Sequence, residues 1–419
     1  MSILIKSAKI IDARSKFNGK ILDILIVKGK IKEISKNIDD SKAKKIISLE
    51  DLHISPGWLD TSVCFGEPGL DEREDLNNGS ETAALSGISD LVLNPETDPF
   101  LDTKADINYI KSKSKDFISK IHPLGCLTKG AQSEKLADLY EMNQSGAVGF
   151  YDFKKPINNA NLLKIALQYV QSFNGLIISF PYEKKLCSDG QMHEGKISTN
   201  YGIKGISEIS EEIMLNRDLE ILDYTGGKIH IPCISTMKSV KLIKEAKRKK
   251  LNVTCSVSIN NLFFNDEKLK DFDTRFKVLP PIRSDNHRKA LINGLKDGTI
   301  DFVTSDHSPI EIDKKKTDFE NSLFGSTGLE SLFGALNSIF DINTSIDILT
   351  RRKNIFGINE NIISVGEDAI ISLFNPKVKY IFKMDNIYSK SKNSCFIGTE
   401  IKGKAYGVIR NNSYRIIEQ

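Results

Sequence analysis

Ser55-Pro-Gly-Trp-Leu-Asp-Thr-Ser-Val-Cys-Phe-Gly-Glu-Pro-Gly69 opens on a Pro-Gly break, runs through Trp58 to Val63 as a short buried strand, and closes on a second Pro-Gly turn. Downstream of it, brief apolar strands alternate with amphipathic helical segments. The strand candidates are Trp58 to Val63, Asp90 to Leu93, Lys120 to Pro123, Ala147 to Tyr151, Leu176 to Phe180, Lys228 to Pro232, Asn252 to Val257 and Phe302 to Thr304. Between them Asn161 to Phe173, Ile209 to Tyr224, Ser239 to Lys250 and Ser284 to Lys296 carry apolar residues at helical spacing. Parallel strands covered on both faces read as uniformly apolar, and eight of them is the number that closes a (β/α)8 TIM barrel.

Upstream the style is different. Residues 1–55 read as short strands at Ile3 to Ile5, Lys9 to Ile11, Ile21 to Val27 and Lys30 to Ile34. The same style returns near residue 365, with Ala369 to Phe374, Val378 to Phe382 and a ladder from Lys402 to Ile417 around the Asn411-Asn412 turn. The expected architecture is α/β: a barrel over 56–364, beside a small composite β-sandwich built from 1–55 and 365–419. An open doubly wound sheet is the competing layout, but no GxGxxG follows the first strand and no GxxxxGK[ST] occurs.

Composition narrows the function classes. With 59 Lys+Arg against 55 Asp+Glu, the net charge of +4 gives no electrostatic case for nucleic acid. At 40% hydrophobic and 27% charged the chain matches globular proteins, and no run approaches the roughly 20 apolar residues of a membrane span. Met1 to Lys6 alternates polar and apolar residues instead of forming an export signal, and the six cysteines include no CxxC pair. A cytoplasmic protein is the expectation.

The segment from Ser55 to Gly69 resembles the amidohydrolase superfamily, and its Phe65-Gly-Glu-Pro-Gly69 tail is similar to the dihydroorotase branch. Further similarities follow in order: Gly149-Phe-Tyr-Asp152, Met192-His-Glu-Gly195, Phe276-Lys-Val-Leu-Pro-Pro-Ile-Arg283, Ser305-Asp-His-Ser-Pro309 and Phe324-Gly-Ser-Thr-Gly-Leu-Glu330. The resemblance implies pyrimidine biosynthesis: ring closure of N-carbamoyl-aspartate to dihydroorotate, with zinc activating water and polarising a carbonyl.

Carried over residue by residue, the same resemblance exposes what is missing. The first-strand His-x-His is Ser62-Val63-Cys64, the carboxylate pair after the fourth strand is Asp152-Phe153, the fifth-strand His is Pro181 and the sixth-strand His is Cys233. Only Asp306, the catalytic Asp of the eighth strand, matches cleanly. The substrate-contacting Arg, two Asn and His are replaced by Gly66, Glu96, Leu279 and Ile310. The expectation is therefore a catalytically inactive homologue with a vestigial Asp306 and no bound cofactor. It would act as a structural or regulatory partner, either of aspartate carbamoyltransferase, as inactive members of the family do, or of a second copy in a dimer. The alternative is an active dihydroorotase or other cyclic amidohydrolase, with zinc on Cys64, Cys233 and Asp306 and with Asp152 as a further carboxylate. His307 next to Asp306 reads as a hydrogen-bonded scaffold residue before a proton shuttle, and Tyr182 and Glu183 read as plugs of the old pocket.

Overall fold

The computed structural model describes residues 2–187 and 189–417; of the expected β module, Met1, Glu418 and Gln419 lie outside them. The strand Trp58–Val63 is buried along its whole length and pairs in parallel with Ile88–Leu93, which pairs in parallel with Lys120–Pro123. A second parallel sheet runs Phe150–Tyr151, Ile177–Ile178, Ile229–Ile231, Val253–Ser258, Phe302–Thr304. Two parallel bridges join the sheets at both edges, Gly125 to Phe150 and Val63 to His307. These eight strands are called first to eighth below.

Helices fill the connections, among them Leu76–Leu85, Lys104–Lys113, Ala160–Val170, Glu208–Thr225, Met237–Arg248 and Asp285–Lys296. The first three and Met237–Arg248 start where a side chain caps the first turn. Asp75 accepts from the backbone N of Asn78 at 2.7 Å, and Thr236 accepts from that of Ser239 at 3.1 Å, each satisfying an amide that the first helical turn leaves unpaired. The expected helices agree with these bounds to within two or three residues. The fourth and fifth strands are shorter than expected, because the flanking residues leave the ladder for turns.

The chain ends meet in one sheet. Its order is Ser413–Ile416, Glu400–Arg410, Ile370–Ile381, His53–Pro56, Ser2–Ile10, Ile21–Val27, Lys30–Ser35, with Lys45–Ile47 also beside Ser2–Ile10. Two expectations are corrected here. Ile3 to Ile5 and Lys9 to Ile11 are parts of one bulged strand, with Ser7 left-handed and its amide held by Asp23 at 2.8 Å. Ala369 to Phe374 and Val378 to Phe382 likewise merge, with a shift of register between Asn375 and Lys379.

Two side-chain groups tie this sheet to the parallel strands. The single tryptophan, Trp58, is fully buried 4.7 Å from the Phe333 ring and 5.4 Å from that of Phe374, with its indole N–H donated to Ser55 at 2.8 Å. On the second strand, the buried Asp90 carboxylate meets Arg410 at 2.9 Å, His122 at 3.1 Å and Lys353 at 3.2 Å. Burial alone would push the Asp90 carboxyl up, but the Lys353 ammonium, His122 and Arg410 together hold it well below the ordinary carboxylate range.

Candidate functional site

In parallel α/β layouts the strand C-termini carry the chemistry. Here the fourth, sixth and eighth strands are each followed, two or three residues on, by a non-glycine residue with left-handed backbone: Lys154 (φ 50°), Cys233 (φ 50°) and Asp306 (φ 51°). Such backbone is uncommon outside glycine and redirects a side chain away from the strand line. The result is an ion pair, Lys154 Nζ to Asp306 Oδ2 at 2.8 Å, with 13% and 4% of the two side chains exposed. Burial pulls the Lys154 pKa down, but the Asp306 carboxylate outweighs it and the amine stays protonated above the ordinary lysine value. Nothing in the sequence reading singled out Lys154. Its one signal was a cation two residues beyond Asp152, at a strand end.

Around this pair stand the replaced positions. Cys64 and Cys233 are both buried and both feel the charges of Asp306 and Lys154; burial pushes each thiol well above the ordinary cysteine value. Cys64 Sγ lies 3.5 Å from Asn94 Nδ2, which also donates to Ser62 Oγ at 3.0 Å. Burial raises the Glu96 carboxyl, opposed by Lys154 and Arg73, so the acid that replaces the family's Asn faces cations of the protein itself.

Asp152 is engaged by the protein itself: Oδ1 accepts from the amides of Leu127 at 2.9 Å and Thr128 at 3.0 Å, and Oδ2 accepts from Thr128 Oγ1 at 2.5 Å. Its carboxylate fastens the loop after the third strand. Gly66 has a steric reason to lack a side chain, since a Cβ there would lie 1.9 Å from the Leu70 carbonyl oxygen. No arginine fits this backbone. Leu279 and Tyr182 pack onto a buried apolar cluster that includes Cys64, Tyr151, Phe153 and Phe180. Ile310 is buried, its amide donated to Asn393 Oδ1 at 3.2 Å. Pro181 is buried and offers no donor atom.

The rim above is held by protein contacts. The segment 388–395 crosses it, with Ser389 Oγ 3.2 Å from His307 Nε2, while His307 Nδ1 accepts from the Gly328 amide at 3.2 Å. Both ring nitrogens of His307 are thus engaged, and burial lowers its pKa to about 3, so the ring is a neutral scaffold member. Two further buried amines clamp the loop after the eighth strand: Lys277 Nζ donates to the carbonyls of Phe319 at 2.7 Å and Glu320 at 2.8 Å, and Lys315 Nζ to those of Thr274 at 2.8 Å and Lys277 at 3.1 Å.

These residues do not fit a pair of zinc ions. Among the described residues no group of three or more His, Cys, Asp or Glu is placed to hold a metal ion, which also counts against Cys64, Cys233 and Asp306 as a joint site. A divalent ion on the Asp306 carboxylate would share it with an ammonium. At ~4 Å and an effective dielectric near 20, each pair of like unit charges costs about 4 kcal/mol, and a dication about twice that.

Comparison with known proteins places the chain. A model of the Dihydro-orotase-like family matches residues 52–239. The dihydroorotase of Acetivibrio thermocellus is 35% identical over 425 residues, covering 100% of this chain and 99% of that protein. The dihydroorotase of Caldicellulosiruptor saccharolyticus is 36% identical over 421 residues, covering 98% and 97%. Among solved structures, the L-hydantoinase of Arthrobacter aurescens superposes with a TM-score of 0.85 at 19% identity, over 100% of this chain and 97% of that one. The dihydropyrimidinase of Brevibacillus agri superposes with a TM-score of 0.83, also at 19% identity, over 99% and 95%. The structural likeness shows an α/β fold of the hydantoinase type, and the full-length sequence similarity shows that the chain belongs to the dihydroorotase-like family.

Proposed function

We propose that this chain is a catalytically inactive dihydroorotase-like protein of pyrimidine biosynthesis, working in the cytoplasm as a structural or regulatory partner. Its parallel strands form a closed (β/α)8 barrel over 56–364, and 1–55 with 365–419 form a composite β domain built on one shared sheet in place of the expected sandwich. The observation that carries the reading is the fate of the two surviving carboxylates. Asp152 is engaged by Leu127 and Thr128, and Asp306 Oδ2 by the Lys154 ammonium, so both carboxylates are partnered by the protein itself.

The partner follows from the family resemblance: aspartate carbamoyltransferase, or a second copy of this chain. Retained turns such as Gly325, where a Cβ would lie 2.7 Å from the Ile310 side chain, keep the shape of the fold without its reaction centre. One observation favours the alternative of an active cyclic amidohydrolase on an atypical zinc site, namely that Cys64 and Cys233 both stand close enough to Asp306 to feel its charge. The experiment is to purify the chain from its own cells, identify what accompanies it, and assay dihydroorotate turnover with and without added zinc. Co-purification of a carbamoyltransferase without turnover supports the proposal; zinc-dependent turnover overturns it.

A further inference from the structure

The absence of four expected imidazoles at the strand ends coincides with the presence there of one buried ammonium. Lys154 Nζ reaches Asp306 Oδ2 at 2.8 Å and lies 5.1 Å from the centre of the Phe153 ring. The Lys154 amide donates to Tyr151 Oη at 3.0 Å, which fixes the left-handed turn that aims the chain inward. Two strand ends that are far apart in sequence therefore meet in one ion pair, with Glu96, Cys64 and Cys233 near enough to feel its charges. Without that charge, Asp306 would be a carboxylate buried to 4% exposure with no counter-ion, its Oδ1 already lacking a hydrogen-bond partner among the described residues.

We infer that Lys154 is a built-in cation: its ammonium neutralises Asp306 and joins the turns after the fourth and eighth strands, the place the family resemblance gives to bound zinc. Lys154 is a positioning residue on this account, and the fold is independent of divalent metal. The inference rests on the reading that the site does not use zinc, and its test separates the two.

The test compares urea unfolding of the full chain with Lys154→Met, Asp306→Asn and the double variant, each with and without EDTA. Breaking a buried pair from one side is expected to raise the unfolding equilibrium constant on the order of a hundredfold to a thousandfold in each single variant. The double variant, which removes both members of the pair, is expected to recover most of that loss, and EDTA is expected to change nothing. Losses that simply add in the double variant would show that Lys154 only fills space, overturning the inference while the reading of inactivity stands. Should a single variant fail to fold, folding of the double variant alone still supports charge pairing, and its failure counts against it. Destabilisation of the unaltered chain by EDTA would overturn metal independence, and zinc-dependent dihydroorotate turnover would overturn the underlying reading itself.

Discussion

Replacing Asp90 with alanine should loosen the junction between the parallel strands and the terminal sheet. Asp90 is the shared acceptor of Lys353, Arg410 and His122, and the Lys353 side chain is only 2% exposed. Removing the carboxylate leaves a buried ammonium without a counter-ion, a change that costs about 3–5 kcal/mol. Arg410 retains the Ser89 carbonyl at 2.7 Å, so the unpaired Lys353 dominates the loss. Over 419 residues, an unfolding entropy of about 2.1 cal/mol/K per residue amounts to roughly 0.9 kcal/mol/K, so Tm should fall by about 3–6 °C. The assay is differential scanning calorimetry of Asp90→Ala alone and combined with Lys353→Met. The combined variant should regain most of the loss, because it removes the buried Lys353 ammonium along with its carboxylate. A Tm within about 1 °C of the parent for Asp90→Ala, or a combined loss equal to the sum of the singles, would refute the reasoning.

Thr128→Val removes one of the donors that hold Asp152 and strands the Ser133 amide that Thr128 Oγ1 accepts at 2.9 Å; chemical denaturation should register a loss of about 1–3 kcal/mol. Gly66→Ala places a methyl group against the Leu70 carbonyl, and a loss of about 1–3 kcal/mol is expected by the same measurement. Lys315 supplies a pH test. Burial lowers its pKa from the ordinary lysine value of 10.5 to about 8. Below pH 8 the amine is charged in both states and the cost of burying it is fully present; between about 8 and 10.5 the unfolded chain holds more protons, so stability rises with pH. The stability of the parent relative to Lys315→Met should therefore increase across that window, and a flat difference would count against a buried, charged Lys315.

Much of the layout was legible because its physics is local. Strands buried on both faces have to be apolar throughout, so Trp58 to Val63 and Phe302 to Thr304 stand out with their observed bounds. The terminal strands were split in the reading because a bulge interrupts the alternation that marks a strand, as at Ser7 and around Asn375. In the site, the absence of histidines could be read directly, since a missing donor needs no geometry. The role of Lys154 could not, because it depends on a left-handed turn that brings the amine to a carboxylate 152 residues away. The engagement of Asp152 was hidden for the same reason: residue type shows that a carboxylate is present but not that Thr128 has claimed it.

The central claim is that the strand ends of this dihydroorotase-like chain are neutralised from within and have no place for catalytic zinc. Elemental analysis of the protein, purified without chelator from zinc-supplemented growth, tests it most directly. The account predicts zinc well below one equivalent per chain. One or two tightly held equivalents, displaced only by a strong chelator, would contradict it.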